Sequence, residues 1–522
     1  MRKPRSLDLL LALLAAGAVV PLWLVDRLPL QDLPQHLVAI RALVDYHDPE
    51  LGFSRFFELD LWSTQYVAYY LAVVALGNVL NVNVANTVVL SLALAGTPYA
   101  MRSLLRAIGR DERLCFFTLP FLYNIHLILG FLNFVAAIPL MLYGLALAAR
   151  LRDRWTAWGA LRLGALGVVL FLTHVVPFGI FGLGTAAIAV ERKPRAVLAR
   201  LLPLVPALGL ALFWSQSSPA GRSTVEAALG GGVSSPRARF DPIAVSLRDG
   251  WVWLIDILKG STDEIVLVGT LVLAMTATGL HWIERRGDRG MSARAELESP
   301  RALRPSQPSQ PSVSYLRLIG LAPLCVLLYL LLPRSYDWIW PINARFPILA
   351  VLFAILVLPA LRGLGGRFVV VALALLSAFT FVQTGRAFLA VEREEMGRLD
   401  EAIATIPKGS KVAGLIFDRE SAYVRFAPFL HSVAWVQAER GGVALFTFAD
   451  FPQSPLRFRE ADRPPRVRRG WEWGPTFVRP DRDLAWCDYV LVRGGPGAIE
   501  RSRAFKLVFR SPRWQVYQRS KP

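Results

Sequence analysis

Long apolar runs recur along the chain as far as residue 386 and constrain its fold more than any other feature. A helix of about 20 apolar residues crosses roughly 30 Å of hydrocarbon. Hydrophobic residues make up 54% of the 522 residues, and the 19% that are charged fall between the runs. We therefore expect a polytopic α-helical membrane protein with about 11 to 13 spans. The candidate spans are residues 7–25, 63–81, 84–101, 115–128, 131–149, 160–175, 177–190, 198–214, 264–282, 315–333, 344–361 and 367–386.

Two stretches of short candidate spans are better interpreted as helical hairpins. The first covers residues 115–149, with Gly130 near its turn, and the second covers residues 160–190, with Pro177 near its turn. Glycine and proline interrupt regular helices, so each marks a candidate turn.

Positive charge is concentrated in the short connectors between the apolar runs. Arginine and lysine clusters beside spans stay on the cytoplasmic side, so the pattern predicts topology. It accounts for the net charge of +19, and we expect no nucleic-acid partner. The region after residue 387 is predicted to lie outside. The predicted cytoplasmic segments are the N-terminal Arg2 to Arg5 and residues 102–113, 150–154, 192–200, 284–313 and 362–367.

The topology of the first hundred residues leaves two alternatives open. An external loop at 26–62 and a cytoplasmic connector at 102 require an odd number of crossings between them, yet two apolar runs intervene. Either one run is not a full span, or the loop contains a re-entrant segment. The N-terminal run lacks a small-residue cleavage site, which predicts an uncleaved signal anchor.

Two regions between the spans are predicted to lie outside the hydrocarbon. Residues 217–262 form an external loop in which Trp251 and Trp253 suit an interfacial helix. Residues 284–313 form a disordered, low-complexity cytoplasmic linker.

Residue 390 is the predicted boundary between two domains. Residues 1–390 hold the apolar runs and form the transmembrane domain. Residues 391–522 are predicted to form a small extracytoplasmic α/β domain, with a helix from Glu392 to Ile406 before its first strand. The strand-like segments begin at Lys411, Tyr489, Phe505 and Arg513.

The first external loop, residues 26–62, is rich in carboxylates. Asp32 and His36 are four residues apart and share one face if the segment is helical, and Pro34 suits the first turn of such a helix. A carboxylate and an imidazole can ligate a divalent metal such as Mg²⁺ or Mn²⁺, or share a proton. We take both as candidate catalytic and metal-ligating residues. The alternative is that both are solvated loop residues.

A second polar cluster, Asp45, His47, Asp48 and Glu50, follows in the same loop. The Asp48-Pro49 dipeptide is typical of a turn, which favours a structural role for this cluster.

Polar residues near or inside later runs are candidate substrate-binding residues. Arg345 lies with Asn343 at the mouth of a candidate span, where an arginine either reaches the headgroups or pairs with a phosphate. His126 and His174 lie inside apolar runs, where a polar group lines a cavity or satisfies the backbone at a helix break. His431 in the last domain is interpreted as part of its packing.

The pattern resembles the bacterial members of the GT-C glycosyltransferase superfamily, the multi-spanning enzymes related to protein mannosyltransferases. The resemblance covers most of the chain. It rests on the acidic motif Asp32-Leu-Pro-Gln-His36, the series of spans with short hairpins, and the C-terminal domain. The closing segments Asp488-Tyr-Val-Leu-Val-Arg493 and Trp514-Gln-Val-Tyr517 are similar to the tails of many such proteins.

The resemblance implies sugar transfer from a polyprenyl-phosphate or polyprenyl-diphosphate donor to an envelope glycan, lipid or protein. The reaction is expected on the periplasmic side of the bacterial inner membrane. Asp32 would act as general base or metal ligand, His36 would support it, and Arg345 would hold the donor phosphate. A leucine follows Asp32 where many relatives carry a second acidic residue, which leaves the metal requirement open.

Two other functions stay open. A transporter or flippase for a lipid-linked glycan would place ionisable groups at mid-bilayer and often contains internal repeats, whereas here the carboxylates concentrate in the first loop. A non-catalytic scaffold for envelope assembly would use the C-terminal domain for binding. The sequence has no phosphate-binding loop, GxSxG, HExxH or CxxC, so ATP-driven transport, serine or zinc hydrolysis and dithiol chemistry have no motif support.

Overall fold

The computed structural model describes residues 6–228, 237–298, 312–468, 470–495 and 497–520 and is mostly helical. Seven helices in these ranges are long and apolar enough to cross a membrane. They indicate a membrane-embedded protein, as the sequence predicted. The seven helices are Ser6–Trp23, Val82–Ala107, Leu132–Asp153, Pro194–Ser217, Thr262–Arg286, Val313–Leu331 and Gly363–Met396.

Five further apolar helices are shorter, so the described chain has fewer long spans than the 11 to 13 predicted. The 11 residues of Val67–Gly77 rise about 16 Å, roughly half of the hydrocarbon thickness. The helix in the run at 63–81 is therefore shorter than a full span, which favours the first of the two alternatives for this region. The five helices are Leu33–Val44, Val67–Gly77, Ala157–Thr173, Val175–Ala189 and Asn343–Val357.

The first hairpin turns at Gly130, as predicted, but residues 115–128 do not form a regular α-helix. A 3₁₀ helix at Glu112–Phe121 and a short α-helix at Ile125–Ile128 lead into the turn. Gly130 has a φ of 82°, a left-handed conformation that favours glycine.

The second hairpin breaks at His174, close to Pro177 as predicted. His174 ends the helix Ala157–Thr173, and its side chain caps the helix Val175–Ala189. Pro177 lies in the first turn of that second helix, where a missing amide donor costs nothing.

The regions predicted outside the hydrocarbon contain helices. Trp253 belongs to the short helix Val252–Ile255 and is buried against Trp340 and Phe426, so it is a core residue rather than an interfacial one. The helix Thr262–Glu298 extends through the first half of the predicted linker at 284–313. Most of the remainder of that linker, like the glycine run at 230–232, lies outside the described residues.

The C-terminal region contains a five-stranded sheet. Its strands lie in the order β5 (Val443–Ala444), β4 (Lys411–Ile416), β7 (Tyr489–Arg493), β9 (Trp514–Arg519) and β8 (Phe505–Arg510). All four predicted strands belong to it. Strand β4 pairs in parallel with β5 and β7, whereas β9 pairs antiparallel with β7 and β8. The strands of the described chain are β1 Phe57–Leu59, β2 Ala238–Arg239, β3 Ser335–Tyr336, β4 Lys411–Ile416, β5 Val443–Ala444, β6 Leu456–Phe458, β7 Tyr489–Arg493, β8 Phe505–Arg510 and β9 Trp514–Arg519.

The helix predicted before β4 is present in two pieces. Helix Gly363–Ala390 continues as a π-helical turn, Val391–Met396, and Gly397, with a φ of 56°, separates it from Leu399–Ala404. Other short helices include Phe53–Phe56, Pro219–Ala228, Ile243–Asp249, Val433–Arg440 and Pro480–Asp483.

The C-terminal region packs directly on the first loop. Strand β1 of the loop pairs antiparallel with β6. The buried Arg27 forms ion pairs with Asp400 and Glu439 and lies over the Trp435 ring at 4.9 Å. The Arg457 side chain is ion-paired to Asp60. The part of the loop around Asp32 and His36 is therefore covered by protein rather than freely solvated.

We expect Arg27→Ala to weaken this packing and to lower the free energy of unfolding by about 1–3 kcal/mol. The substitution removes two charge-assisted contacts whose partners can return to water. Thermal unfolding in detergent followed by tryptophan fluorescence measures the change. Arg398→Ala is the matched control because its ion pair with Glu401 is exposed, and it should leave the melting temperature almost unchanged. Equal melting temperatures for the two variants would contradict this role of Arg27.

Candidate active site

A cavity of about 440 Å³ lies between the first loop, the helical bundle and the C-terminal region. It brings together Asp32, His36, His174 and Arg345, four of the six predicted site residues. Its wall also contains polar and aromatic side chains that the sequence analysis did not select: Gln31, Gln35, Tyr66, Tyr70, Phe131, Asn133, Trp338, Trp340, His431, Phe446, Phe448 and Trp473.

Asp32 is the N-cap residue of the helix Leu33–Val44 and has Pro34 in the following turn. The segment is therefore helical, which is the condition under which Asp32 and His36 were predicted to share one face. The Asp32 carboxylate makes no capping hydrogen bond, so it stays available to the cavity. Its Oδ1 accepts a hydrogen bond from Gln31 Nε2 at 3.3 Å and lies 3.4 Å from His431 Nε2. The side chain is 14% exposed, which leaves it reachable by a substrate.

The turn at Gly130 supports Asp32 from behind. The Asp32 amide donates to Leu129 O at 3.2 Å, and the Gln31 amide donates to Ile128 O at 2.9 Å. A Cβ atom on Gly130 would lie 2.8 Å from the Asp32 backbone nitrogen. Only glycine can fill this position without moving Asp32.

His36 lies one helical turn after Asp32 and forms a 2.8 Å hydrogen bond between its Nδ1 and the Tyr70 hydroxyl. Burial lowers the pKa of His36 to about 4, so the ring is neutral at neutral pH. A neutral imidazole can hydrogen-bond through both of its nitrogens, and here the ring contacts the Tyr70 hydroxyl and the Gly130 backbone.

His431 reaches the same site from the C-terminal region. Its ring stacks on Phe446 with centroids 5.4 Å apart, and its Nε2 faces Asp32. The sequence predicts a packing role for His431, and the structure shows both packing and contact with Asp32. No spacing in the sequence indicated this contact, because the two residues lie near opposite ends of the chain.

Arg345 is a buried cation at the cavity, and no carboxylate of the described residues lies within 4 Å of it. Its guanidinium lies 5.1 Å from the centroid of the Phe131 ring and donates through Nη1 to Pro341 O. Its Nε has no partner among the described residues. A buried guanidinium with free donors is suited to binding an anion.

The other three predicted substrate-binding residues have different positions. His174 lines the cavity, and because its Nδ1 accepts the Val176 amide at 3.1 Å, a neutral ring presents an Nε2 donor. His126 is fully buried beside Phe134 and does not line the cavity. Asn343 donates to Tyr329 O at 3.1 Å and anchors the chain next to Arg345.

The second acidic cluster of the first loop lies away from the cavity. Asp45 forms an ion pair with Arg41 at 2.9 Å, and Glu50 pairs with Lys408 at 2.6 Å. Asp48 Oδ1 accepts the Glu50 amide at 2.8 Å, as in a turn. The described cluster has the contacts of structural residues.

The expected metal site lacks a complete set of protein ligands. Within the described ranges, no three His, Cys, Asp or Glu side chains lie close enough to hold one ion. His36 Nδ1 is already engaged by Tyr70, and Asp32 would need other donors to complete a coordination shell.

No protein-family model and no curated protein matches the chain. The GT-C resemblance therefore rests on the sequence pattern alone.

We expect Gly130→Ala to destabilise the fold by about 2–5 kcal/mol, because it combines a strained φ with overlap of the Asp32 backbone. Gly109→Ala is the matched control: its φ is 71°, but nothing lies within 4 Å of the new Cβ. The control should lose only about 1–2 kcal/mol of stability, which is the cost of the left-handed conformation for alanine. Thermal unfolding of both variants measures the difference, and equal losses would exclude a special role for the contact with Asp32.

Proposed function

We propose that the protein is a GT-C-type membrane glycosyltransferase. It would transfer a sugar from a polyprenyl-phosphate or polyprenyl-diphosphate donor to an envelope glycan, lipid or protein. The observation that carries the proposal is the placement of the Asp32 carboxylate and the Arg345 guanidinium on one cavity, with no ion pair between them in the described structure. The carboxylate is suited to an acceptor that must lose a proton, and the guanidinium is suited to a donor that carries a phosphate.

Asp32 is proposed to receive the proton of the acceptor hydroxyl. At the same time, the oxygen of that hydroxyl attacks the anomeric carbon of the donor. General-base help of this kind contributes roughly 10²–10⁴-fold to a rate. Gln31 and His431 contact Asp32 Oδ1 and orient the carboxylate. His36 holds Tyr70 in the same wall, which supports its proposed secondary role.

Arg345 is proposed to bind the phosphate that leaves with the lipid. As the bond between the anomeric carbon and the phosphate oxygen breaks, negative charge grows on that oxygen, and a fixed cation stabilises it. The Nε2 donor of His174, in the same cavity wall, would supply a hydrogen bond to the same group. Aromatic side chains such as Trp338 and Trp340 offer flat surfaces for sugar rings.

The proposed location is the bacterial inner membrane, with the cavity and residues 391–522 on the periplasmic side. This topology follows from the arginine-rich connectors predicted to be cytoplasmic. Membrane lipid is proposed to surround the apolar helices.

A Mg²⁺ or Mn²⁺ ion held by Asp32 and His36 is a separate proposal. A lipid-linked glycan transporter and a non-catalytic envelope scaffold are the competing functions.

We expect Asp32→Asn to lower sugar transfer by about 10²–10⁴-fold, because it keeps the shape of the side chain and removes the proton acceptor. Purified variants in lipid are assayed with radiolabelled polyprenyl-phosphate sugars and an envelope acceptor fraction, with and without EDTA. Asp45→Asn, in the same loop but outside the cavity, is the matched control and should keep wild-type rates. Equal release of label by both variants would exclude Asp32 as the base, and no release by the wild type would favour the transporter. Loss of activity in EDTA that Mg²⁺ or Mn²⁺ restores would support the metal.

We expect Arg345→Lys to retain partial activity and Arg345→Met to lose about 10²-fold or more, since only the first keeps a cation for the leaving phosphate. The donor concentration dependence of transfer separates effects on binding from effects on rate. Arg110→Met is the comparison, because that arginine lies over the Tyr315 ring away from the cavity. Equal activities of the lysine and methionine variants would contradict a phosphate role for Arg345.

A further inference from the structure

Residues 463–468 and 470–479, called the rim loop below, lie between β6 and β7 along the chain and form part of the cavity wall. Glu472 and Trp473 of this loop line the cavity together with Asp32. Trp473 is also 43% exposed, so part of this cavity-lining side chain is open to solvent. A molecule that binds the exposed part of Trp473 therefore also contacts the cavity wall.

The rim loop is built to hold its aromatic rings outward. Trp471 and Val478 are buried in the core of the C-terminal sheet region and anchor the loop. The Trp473 amide donates to Gly470 O at 3.1 Å, which closes a turn. Phe477, on the same loop, is 39% exposed. Two exposed aromatic side chains on one anchored loop offer flat apolar surfaces to a ligand.

Arginine side chains accompany these exposed rings. The Arg468 guanidinium lies 4.8 Å from the Phe477 ring centroid, and the Arg419 guanidinium lies 5.7 Å from that of Trp473. Arg419 Nη1 also donates to Trp473 O at 2.5 Å. Arg466 and Arg468 are exposed, and no carboxylate in the described part of the chain lies within 4 Å of either guanidinium. The cationic groups at this surface are therefore available to an external anion.

This pairing of groups has a defined chemical preference. A flat aromatic ring contacts the apolar face of a sugar, while an adjacent guanidinium binds a carboxylate, sulfate or phosphate through two parallel hydrogen bonds. A neutral glycan would use only the rings, and a simple anion would use only the arginines. An acidic glycan uses both.

We propose that the rim loop binds an acidic glycan and delivers it to the cavity as the acceptor. The role as acceptor rests on the proposed function, whereas the binding itself does not. Anionic lipid headgroups would also satisfy the arginines, but they give no reason for Trp473 to continue into the cavity wall. The continuity of the loop with the cavity favours the glycan.

The test uses the full-length protein in phosphatidylcholine nanodiscs without any sugar donor. Isothermal titration calorimetry compares oligogalacturonate with a neutral maltooligosaccharide of the same length. We expect the acidic oligomer to bind about ten-fold more tightly, and the double variant R466Q/R468Q to lose about ten-fold for the acidic oligomer alone. Trp473→Leu should weaken the binding of both oligomers.

A charge-matched control separates a specific surface from general attraction to a basic protein. Lys506→Gln combined with Arg519→Gln removes the same charge from exposed positions on the sheet and should leave the affinity unchanged. Equal affinity for acidic and neutral oligomers, or equal losses in both double variants, would overturn the proposal. So would an effect of R466Q/R468Q on phosphatidylglycerol vesicle binding alone. Because no donor is present, these outcomes are independent of whether Asp32 supports sugar transfer.

Discussion

The packing of the first loop against the C-terminal region determines whether the cavity exists. Buried backbone groups need hydrogen-bond partners, and here two glutamines of the loop provide them across the interface. Gln31 Oε1 accepts the Ala427 amide at 3.4 Å, and Gln35 Oε1 accepts the Phe448 amide at 3.1 Å. The same contact brings His431 to Asp32. Without it the cavity would lose the wall that carries His431 and the rim loop.

Two adjacent residues of the first hairpin connect both charged groups of the site. Gly130 allows the turn to lie against the Asp32 backbone, and the ring of the next residue, Phe131, lies beside the Arg345 guanidinium. Burying a charge without an ionic partner costs free energy, and proteins tolerate this cost mainly where a ligand supplies the missing partner. The hairpin therefore positions Asp32 and Arg345 relative to each other as well as closing the helical bundle.

Prediction from sequence succeeded for elements that a local pattern specifies. It failed for elements whose structure depends on contacts with distant segments. The segments at 411–416 and 489–493 are short apolar runs of the length of a strand, so β4 and β7 could be predicted directly. The run at 115–128 is equally apolar, yet it forms a 3₁₀ helix and a short turn of helix inside the protein. Apolar composition favours burial in lipid and burial in protein alike, so it cannot distinguish a span from a buried irregular segment.

The sequence by itself determined the membrane-embedded helical class, the C-terminal strands and the candidate role of Asp32, because each depends on composition or on neighbours within one turn. Only the tertiary structure decided which polar residues share a cavity. It placed His174 and Arg345 with Asp32, left His126 and Asn343 outside the cavity wall, and added His431. The physical reason is that these residues meet through contacts between distant segments, and the energy of such contacts depends on packing that no local pattern records.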